Sequence, residues 1–160
     1  MIQFKPLISL NRETIKEIES ALNITLDVEI NNTSSDKVFV VQEGNQILGC
    51  CLFETLTTEY TLLKQVYINP KERKQKLGDA LFRAVLNSIE LNGGKHVSAY
   101  GNDEEISFYL HEGMKRISDE DARTYNWNIS IGKYQPTIFL PSIADFFNTP
   151  CKGHKHSKSL

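Results

Sequence analysis

The sequence has little that would mark a secreted, membrane-spanning or nucleic-acid-binding chain. It contains three cysteines, an odd number, and two of them are adjacent, so it offers no disulfide framework. No run approaches the roughly 20 apolar residues that a membrane helix needs, and the first ten residues do not read as a signal peptide. A formal net charge of −2 gives no electrostatic reason to expect nucleic acid. These absences favour a cytoplasmic protein.

The length and composition of the chain suit one domain. With 160 residues, 40% of them hydrophobic and 24% charged, the chain can bury one core and is short for two. We expect a single domain over residues 1–148 and a short, flexible basic tail over residues 149–160. The tail holds Cys151, His154 and His156, a spacing that could bind a soft divalent metal. Three ligands without a fourth favour adventitious binding, so we predict no metal site.

The hydrophobic pattern predicts a mixture of strands and helices. Apolar or alternating runs predict strands at 4–9, 37–41, 46–55, 60–68, 95–100, 114–117, 127–131 and 137–140. Helical periodicity and capping residues predict helices at 12–22, 78–92, 102–111 and 141–147, with residues 118–123 as an acidic loop. Three strands joined by short turns predict an antiparallel meander. The strand–helix–strand order over residues 60–100 predicts one parallel pair.

A basic loop that runs directly into a helix carries the chemistry. The strand over 60–68 ends before a proline, and four basic residues follow: Lys71, Arg73, Lys74 and Lys76. The first N–H groups of a helix have no partner inside the helix and carry partial positive charge, so they suit an anion. Gly78 and Ala80 are small enough to let a diphosphate approach the backbone. From these residues alone, an anion site and an ordinary basic loop are equally good interpretations.

This segment resembles motif A of the GNAT superfamily of acyl-CoA-dependent N-acetyltransferases, whose acetyl-CoA loop reads Arg/Gln-x-x-Gly-x-Gly/Ala. Two registers fit the sequence. One takes Gln75, Gly78 and Ala80. The other begins at Arg73, three residues after the proline, and ends at Gly78, which places Lys76 where the family has its first glycine. We prefer the second register because it keeps the family's usual proline spacing.

A second segment resembles the end of motif B, Phe-Tyr-x-x-x-Gly-Phe. Here Phe108 and Tyr109 are followed by Gly113 and by Met114 in place of the last Phe. The resemblance covers residues 38–117, about half of the chain. It implies an α+β, GNAT-like fold with a mixed, mostly antiparallel central sheet of six or seven strands and helices on both faces. It also implies acetyl-CoA (coenzyme A) as cosubstrate and an amine acceptor. The identity of the amine and a possible homodimer are left open.

The resemblance also assigns roles by position. Tyr109 matches the family's tyrosine and would protonate the departing thiolate, although packing in the core is the alternative. Backbone N–H groups of the strand before the loop would hold the carbonyl and the pantetheine arm, and Asn102 either contacts that arm or only caps the next helix. The predicted coenzyme A-binding residues are Val66, Tyr67, Ile68, Arg73, Lys74, Gln75, Lys76, Leu77, Gly78, Asp79, Ala80 and Asn102.

Two questions stay open at this point. The general base is not identified: Glu54 and Glu59 flank a strand turn, where a surface carboxylate is the more usual interpretation, and His111 cannot share a helix face with Tyr109. The rival function is a non-catalytic acyl-CoA-binding sensor or accessory module. Lys76 favours it, and so does a weaker likeness of residues 131–147 to the acetyltransferase-like N-terminal domain of citrate lyase ligase.

Overall fold

The structure is a computed structural model that describes residues 1–7, 10–28, 36–124 and 136–148. Of residues 74, 75 and 122–124 it describes the backbone alone. The described strands are β1 (Ile2–Pro6), β2 (Asp36–Glu43), β3 (Gln46–Thr55), β4 (Tyr60–Ile68), β5 (His96–Ala99), β6 (Lys115–Arg116) and β7 (Ile138–Leu140). The helices are α1 (Arg12–Leu22), α2 (Leu77–Leu91), α3 (Asp103–Glu112), α4 (Asp119–Thr124) and α5 (Ile143–Asn148). A 3-10 helix, Pro70–Gln75, precedes α2.

These strands form one seven-stranded sheet in the order β1-β2-β3-β4-β5-β7-β6. Every described pair is antiparallel except β4 with β5, which is parallel. The predicted meander corresponds to β2, β3 and β4, and the predicted parallel pair is the one that α2 connects. The α+β fold class with a mostly antiparallel sheet of six or seven strands is therefore confirmed.

Helices cover both faces of the sheet, and each face has its own apolar cluster. On one face, Ile15, Ile18 and Leu22 of α1 pack against alternate residues of β2 and β3, such as Val40 and Cys50. On the other face, residues of α2, α3 and α5 pack against the intervening residues of the same strands. Successive side chains of a strand point to opposite faces, and here both faces are covered by helices. The sequences of β2 and β3 are therefore continuous apolar runs.

One extra residue in β4 shapes the middle of the sheet. Leu52 of β3 faces Gln65, but the next residue, Phe53, faces Leu63, so Lys64 is the additional residue of a β-bulge. The Lys64 side chain is 2% exposed and forms an ion pair of 3.0 Å with Asp36, which is 3% exposed. β5 pairs with β4 only from Tyr60 to Leu63. The two parallel strands therefore separate at the bulge.

Several helix and strand boundaries predicted from the sequence are wrong. Residues 118–123 were expected to be a loop, but α4 covers most of them. Ser118 and Asp121 form a reciprocal cap, in which each side chain accepts a hydrogen bond of 3.0 Å from the other residue's backbone N–H. β1 begins and ends earlier than predicted, and β6 is shorter. The predicted strand at 127–131, the tail at 149–160 and its cysteine and histidines lie outside the described residues.

Candidate functional site

The candidate site is a gap between β4 and the first turn of α3. The last hydrogen bond between β4 and the end of β5 runs from Tyr100 N to Leu63 O, at 3.4 Å. Beyond it, residues 65–68 of β4 pair with β3 and, within the described ranges, with no strand on the other side. The backbone of this open half is what a ligand in the gap would meet, because the edge of a sheet presents unused N–H and C=O groups.

The start of α2 borders the same gap and carries no side-chain cap. Lys76, at the junction of the 3-10 helix and α2, has φ 58° and ψ 26°. Residues other than glycine rarely adopt this left-handed conformation, because it brings Cβ close to the following carbonyl oxygen. The conformation explains why a glycine would suit this position, which is where the register that begins at Arg73 has the family's first glycine. The first N–H that bonds within α2 is that of Ala80, to Lys76 O at 3.2 Å.

The backbone N–H groups of residues 77–79 therefore precede the first intrahelical bond of α2, at the helix start where the sequence predicted an anion site. The Leu77 side chain is buried in the core, so only its backbone faces that helix start. Asp79 turns its carboxylate toward Arg83, with Oδ1 3.3 Å from Nε. Partial burial raises the pKa of Asp79, but a hydrogen bond with Glu112 and the charge of Arg83 outweigh that effect and lower it.

Gly78 has a packing role that the sequence did not reveal. A Cβ built on Gly78 lies 3.0 Å from Cε1 of Phe108 on α3. The absence of a side chain therefore lets α2 and α3 approach closely, which is independent of any diphosphate. Phe108 in turn stacks edge to face on Phe82 of α2, with ring centroids 6.0 Å apart.

Arg73 links the end of β4 to α3. Its Nε donates to Ile68 O at 2.9 Å, and its Nη1 donates to Glu104 Oε1 at 2.8 Å. The guanidinium also lies over the Tyr67 ring, 5.3 Å from the centroid. The predicted phosphate-binding cation is thus held at the rim of the gap by three contacts. The side chains of the neighbouring candidates Lys74 and Gln75 lie outside the described part of the chain.

Asn102 caps α3, as one of its two predicted roles required. Its Oδ1 accepts from Glu105 N at 2.8 Å, and Glu105 Oε1 accepts from Asn102 N at 3.2 Å. The second oxygen of Glu105 accepts from Val66 N, in the open half of β4, at 2.9 Å. Sequence reasoning recognised Glu105 only as a capping residue and missed this contact, because it joins residues 39 positions apart.

Tyr109 is fully buried between α2 and the sheet. Its ring lies 6.3 Å from that of Phe82 and 5.7 Å from that of Phe108. Its hydroxyl has no hydrogen-bond partner among the described residues. Burial first, and then the neighbouring Cys51 and Glu105, raise the pKa of Tyr109 well above its usual value. The hydroxyl therefore stays protonated and is able to donate.

Each of the two candidate carboxylates, Glu54 and Glu59, lies close to a lysine. Glu59 forms an exposed ion pair of 2.9 Å with Lys95, and their hydrogen bond lowers the pKa of Glu59. Glu54 lies 3.9 Å from the Lys64 ammonium, next to the bulge. His111 is exposed, and Nδ1 of His96 lies within hydrogen-bond distance of Pro141 O. Glu54 is the one of these groups that lies close to the point where β4 and β5 separate.

The described residues limit two other kinds of site. They include no group of three or more histidine, cysteine, aspartate or glutamate residues arranged to hold a metal ion. Within the same ranges, no helix has the length and apolarity required to cross a membrane.

Comparison with known proteins gives one family match and several similar structures. The model of the acetyltransferase (GNAT) domain matches residues 34–115. GCN5 of Tetrahymena is similar in structure with a TM-score of 0.66 and 14% identity, over 88% of this chain and 96% of that one. A GNAT-family acetyltransferase of Staphylococcus aureus gives 0.63 and 18% identity, over 89% and 99%. No curated protein matches the chain.

A third similar structure belongs to an enzyme that is named after its acceptor. The ribosomal-protein-S18-alanine N-acetyltransferase of Escherichia coli gives a TM-score of 0.56 at 13% identity, over 74% of this chain and 80% of that one. At these identities the similar structures establish the fold alone, whereas the family match covers just over half of the sequence.

Proposed function

Because the chain belongs to the GNAT acetyltransferase family, we propose that this N-acetyltransferase takes its acetyl group from acetyl-CoA and transfers it directly to an amine. The observation that carries this proposal is the buried hydroxyl of Tyr109, which lacks a partner among the described residues. An unsatisfied buried donor is uncommon and costs free energy, so it calls for a functional reason. A thiolate that leaves during acyl transfer would supply the missing acceptor.

Binding of the donor rests on the start of α2 and on Arg73. The N–H groups of residues 77–79 point along the helix axis toward the loop, where their partial charge suits a diphosphate. Arg73 and the exposed Lys76 add positive charge at the same end. The open half of β4 offers backbone N–H groups, including that of Val66, to the carbonyl groups of an extended arm.

Tyr109 acts as the acid in this proposal. The reaction removes a proton from the amine, forms the amide bond, breaks the thioester bond and leaves a thiolate that must be protonated. The Tyr109 hydroxyl gives its proton to that sulfur and regains one from the reaction's released proton. Tyrosine is already protonated at neutral pH, so the hydroxyl carries the proton that this step needs, and burial, which raises its pKa further, does not remove it. The acceptor amine, a homodimeric state and a cytoplasmic location stay predictions.

The binding half of the proposal is tested by thermal unfolding with coenzyme A. A ligand at 100 times its dissociation constant should stabilise the fold by about 2.7 kcal/mol. An unchanged melting temperature at millimolar coenzyme A would contradict the proposal. The catalytic half is tested by the release of free thiol from acetyl-CoA in the presence of a panel of amines, with acetyl-CoA alone as the control.

A further inference from the structure

The first turn of α3 directs two carboxylates across the gap toward β4. Glu105 Oε2 accepts from the Val66 N–H at 2.9 Å, and Glu104 Oε1 accepts from Nη1 of Arg73 at 2.8 Å. The paired residues are 39 and 31 positions apart in the chain. These two contacts hold the start of α3 against the open half of β4 and against the 3-10 helix that follows it.

The helix cap explains only one of the oxygens involved. A reciprocal cap requires the Asn102 side chain and a single oxygen of Glu105, and Oε1 fulfils that requirement. Oε2 is a second acceptor that the cap does not use, and it lies on the one side of β4 that has no strand neighbour in the described ranges. Glu104 takes no part in the cap, yet it also contacts the far side of the gap.

Both contacts reproduce interactions that an acyl donor would make. A carboxylate oxygen on a backbone N–H occupies the position that the carbonyl oxygen of an amide or thioester would take, since each is an acceptor for one donor. A carboxylate on a guanidinium occupies the position of a phosphate, because both anions match its fork of N–H groups. Acetyl-CoA carries both of these acceptor types.

We propose that Glu104 and Glu105 act as internal competitors for the acyl donor and so set its affinity and selectivity. The inference rests on the proposed function. Glu105 holds the Val66 N–H until an arm with a carbonyl group replaces it, and Glu104 holds Arg73 until a phosphate replaces it. A ligand that provides only one of the two acceptors displaces one contact and leaves α3 attached to β4 through the other.

The two contacts differ in strength, which makes them separable. The Arg73–Glu104 pair is exposed, at 41% and 74% for the two side chains, and such pairs are weak and sensitive to salt. The Glu105–Val66 bond is half-buried and charge-assisted, so its removal should have the larger effect. Ionic strength should therefore change the effect of Glu104 on the donor's dissociation constant much more than the effect of Glu105.

The test measures the dissociation constants of two probes by calorimetry. One is coenzyme A, and the other is adenosine 5′-diphosphate 3′-phosphate, which is coenzyme A without its pantetheine arm. Glu105→Ala should bind coenzyme A about tenfold more tightly, the scale of one charge-assisted hydrogen bond, and bind the fragment as wild type does. Glu104→Ala should bind both probes about threefold more tightly, and high salt should abolish this gain.

Asp103→Ala is the matched control. Asp103 lies in the same first turn and carries the same charge, but it is exposed, and no contact with β4 or Arg73 is found for it. Its replacement should leave the ratio of the two dissociation constants unchanged. Because Glu105→Ala also removes half of the cap, Glu105→Gln is a second variant. It keeps one acceptor oxygen and should tighten coenzyme A binding by a smaller factor, about threefold.

The outcomes separate this inference from the function on which it rests. If wild type binds both probes and Glu105→Ala binds coenzyme A no more tightly than wild type does, the competitor role is overturned. The proposal that the protein binds an acyl donor is then unaffected. The same conclusion follows if Asp103→Ala reproduces the effect of Glu105→Ala. If wild type and every folded variant bind neither probe, the donor proposal and the inference both fail.

Discussion

Helices α2 and α3 begin on either side of the same gap, and their first turns are satisfied in different ways. α3 begins with a complete reciprocal cap between Asn102 and Glu105. α2 begins at Lys76, a non-glycine residue in the left-handed conformation, with no side chain capping it. A side chain thus caps the start of α3, and none caps the start of α2.

This difference determines how readily each helix start could accept the anion that the proposed function requires. A capped start has its N–H groups occupied, so an anion would have to displace the cap. An uncapped start keeps its partial positive charge accessible. The groups that the proposals place on α3 are side chains: Glu105 of its first turn and Tyr109 of its second.

The largest effect is expected from Tyr109→Phe on α3. The substitution keeps the buried ring and removes only a hydroxyl that has no partner in the described structure, so folding and coenzyme A affinity should change little. The turnover number should fall by about 10²- to 10⁴-fold, the scale of a positioned acid. Steady-state kinetics with the best available amine measure this, and the KM should stay close to its wild-type value.

An unchanged turnover number would assign Tyr109 to packing. Tyr60→Phe is a useful control, because it removes the hydroxyl of another tyrosine, one that begins β4, is partly buried and lies 2.8 Å from Ser98 Oγ. That change should cost some stability and leave turnover essentially intact.

A smaller effect is expected from breaking the cap of α3. Asn102→Ala removes the acceptor for the Glu105 N–H and should lower the free energy of unfolding by about 1 kcal/mol, up to about 2. Urea denaturation measures the change. The matched control is Asn11→Ala at the start of α1, where a single side-chain bond of 2.8 Å caps the helix. A loss at Asn102 below that at Asn11 would contradict the idea that the reciprocal cap is the stronger one.

Relief of strain at the start of α2 should change stability by less. Lys76→Gly puts the one residue without a Cβ at φ 58° and should raise the free energy of unfolding by about 0.5–1 kcal/mol. The control is Asn23→Gly at the end of α1, where φ is 56°. Asparagine tolerates this conformation better than lysine does, so the gain there should be smaller. A destabilised Lys76→Gly would show that the Lys76 side chain stabilises the loop.

The smallest effect concerns the pH dependence of stability. It depends on Glu112 of α3, which is hydrogen-bonded to Asp79 of α2. Burial, and then the hydrogen bond and charge of Asp79, raise the pKa of Glu112 to about 8. The folded protein therefore holds a proton that the unfolded chain releases, so this group's contribution to stability is present at low pH and is lost as pH rises toward about 8. Glu112→Gln should flatten the decline in melting temperature between pH 5 and 8. An unchanged slope would contradict the raised pKa.

Local signals made much of the fold predictable. The caps at Asn11 and Asn102 act over three residues, and the basic loop before α2 is continuous in the chain, so sequence alone located these helix starts to within a residue. The sequence did not predict α4, because its six residues lack a clear apolar face. Ser118 and Asp121 nevertheless form the same kind of cap.

The contacts that define the gap were not predictable from the sequence. Glu105 with Val66, Arg73 with Glu104, and Gly78 with Phe108 each join residues at least 30 positions apart. Their partners depend on how far β4 and β5 separate, which no pattern in either strand specifies. The family resemblance pointed to the loop and Tyr109, but the contacts of Glu104 and Glu105 were visible only in the structure.

The bulge at Lys64 means that the gap depends on the number of residues in β4 more than on their identity. On either side of the bulge, Leu63 and Val66 belong to the same apolar cluster, although they are three positions apart. A deletion of Lys64 would restore strict alternation with every neighbouring side chain still on its present face. The strand could then run straight beside an extended β5, and Asp36 would lose its cation at 3.0 Å. An insertion or deletion in this strand is therefore a more direct route between an open and a closed sheet than any substitution.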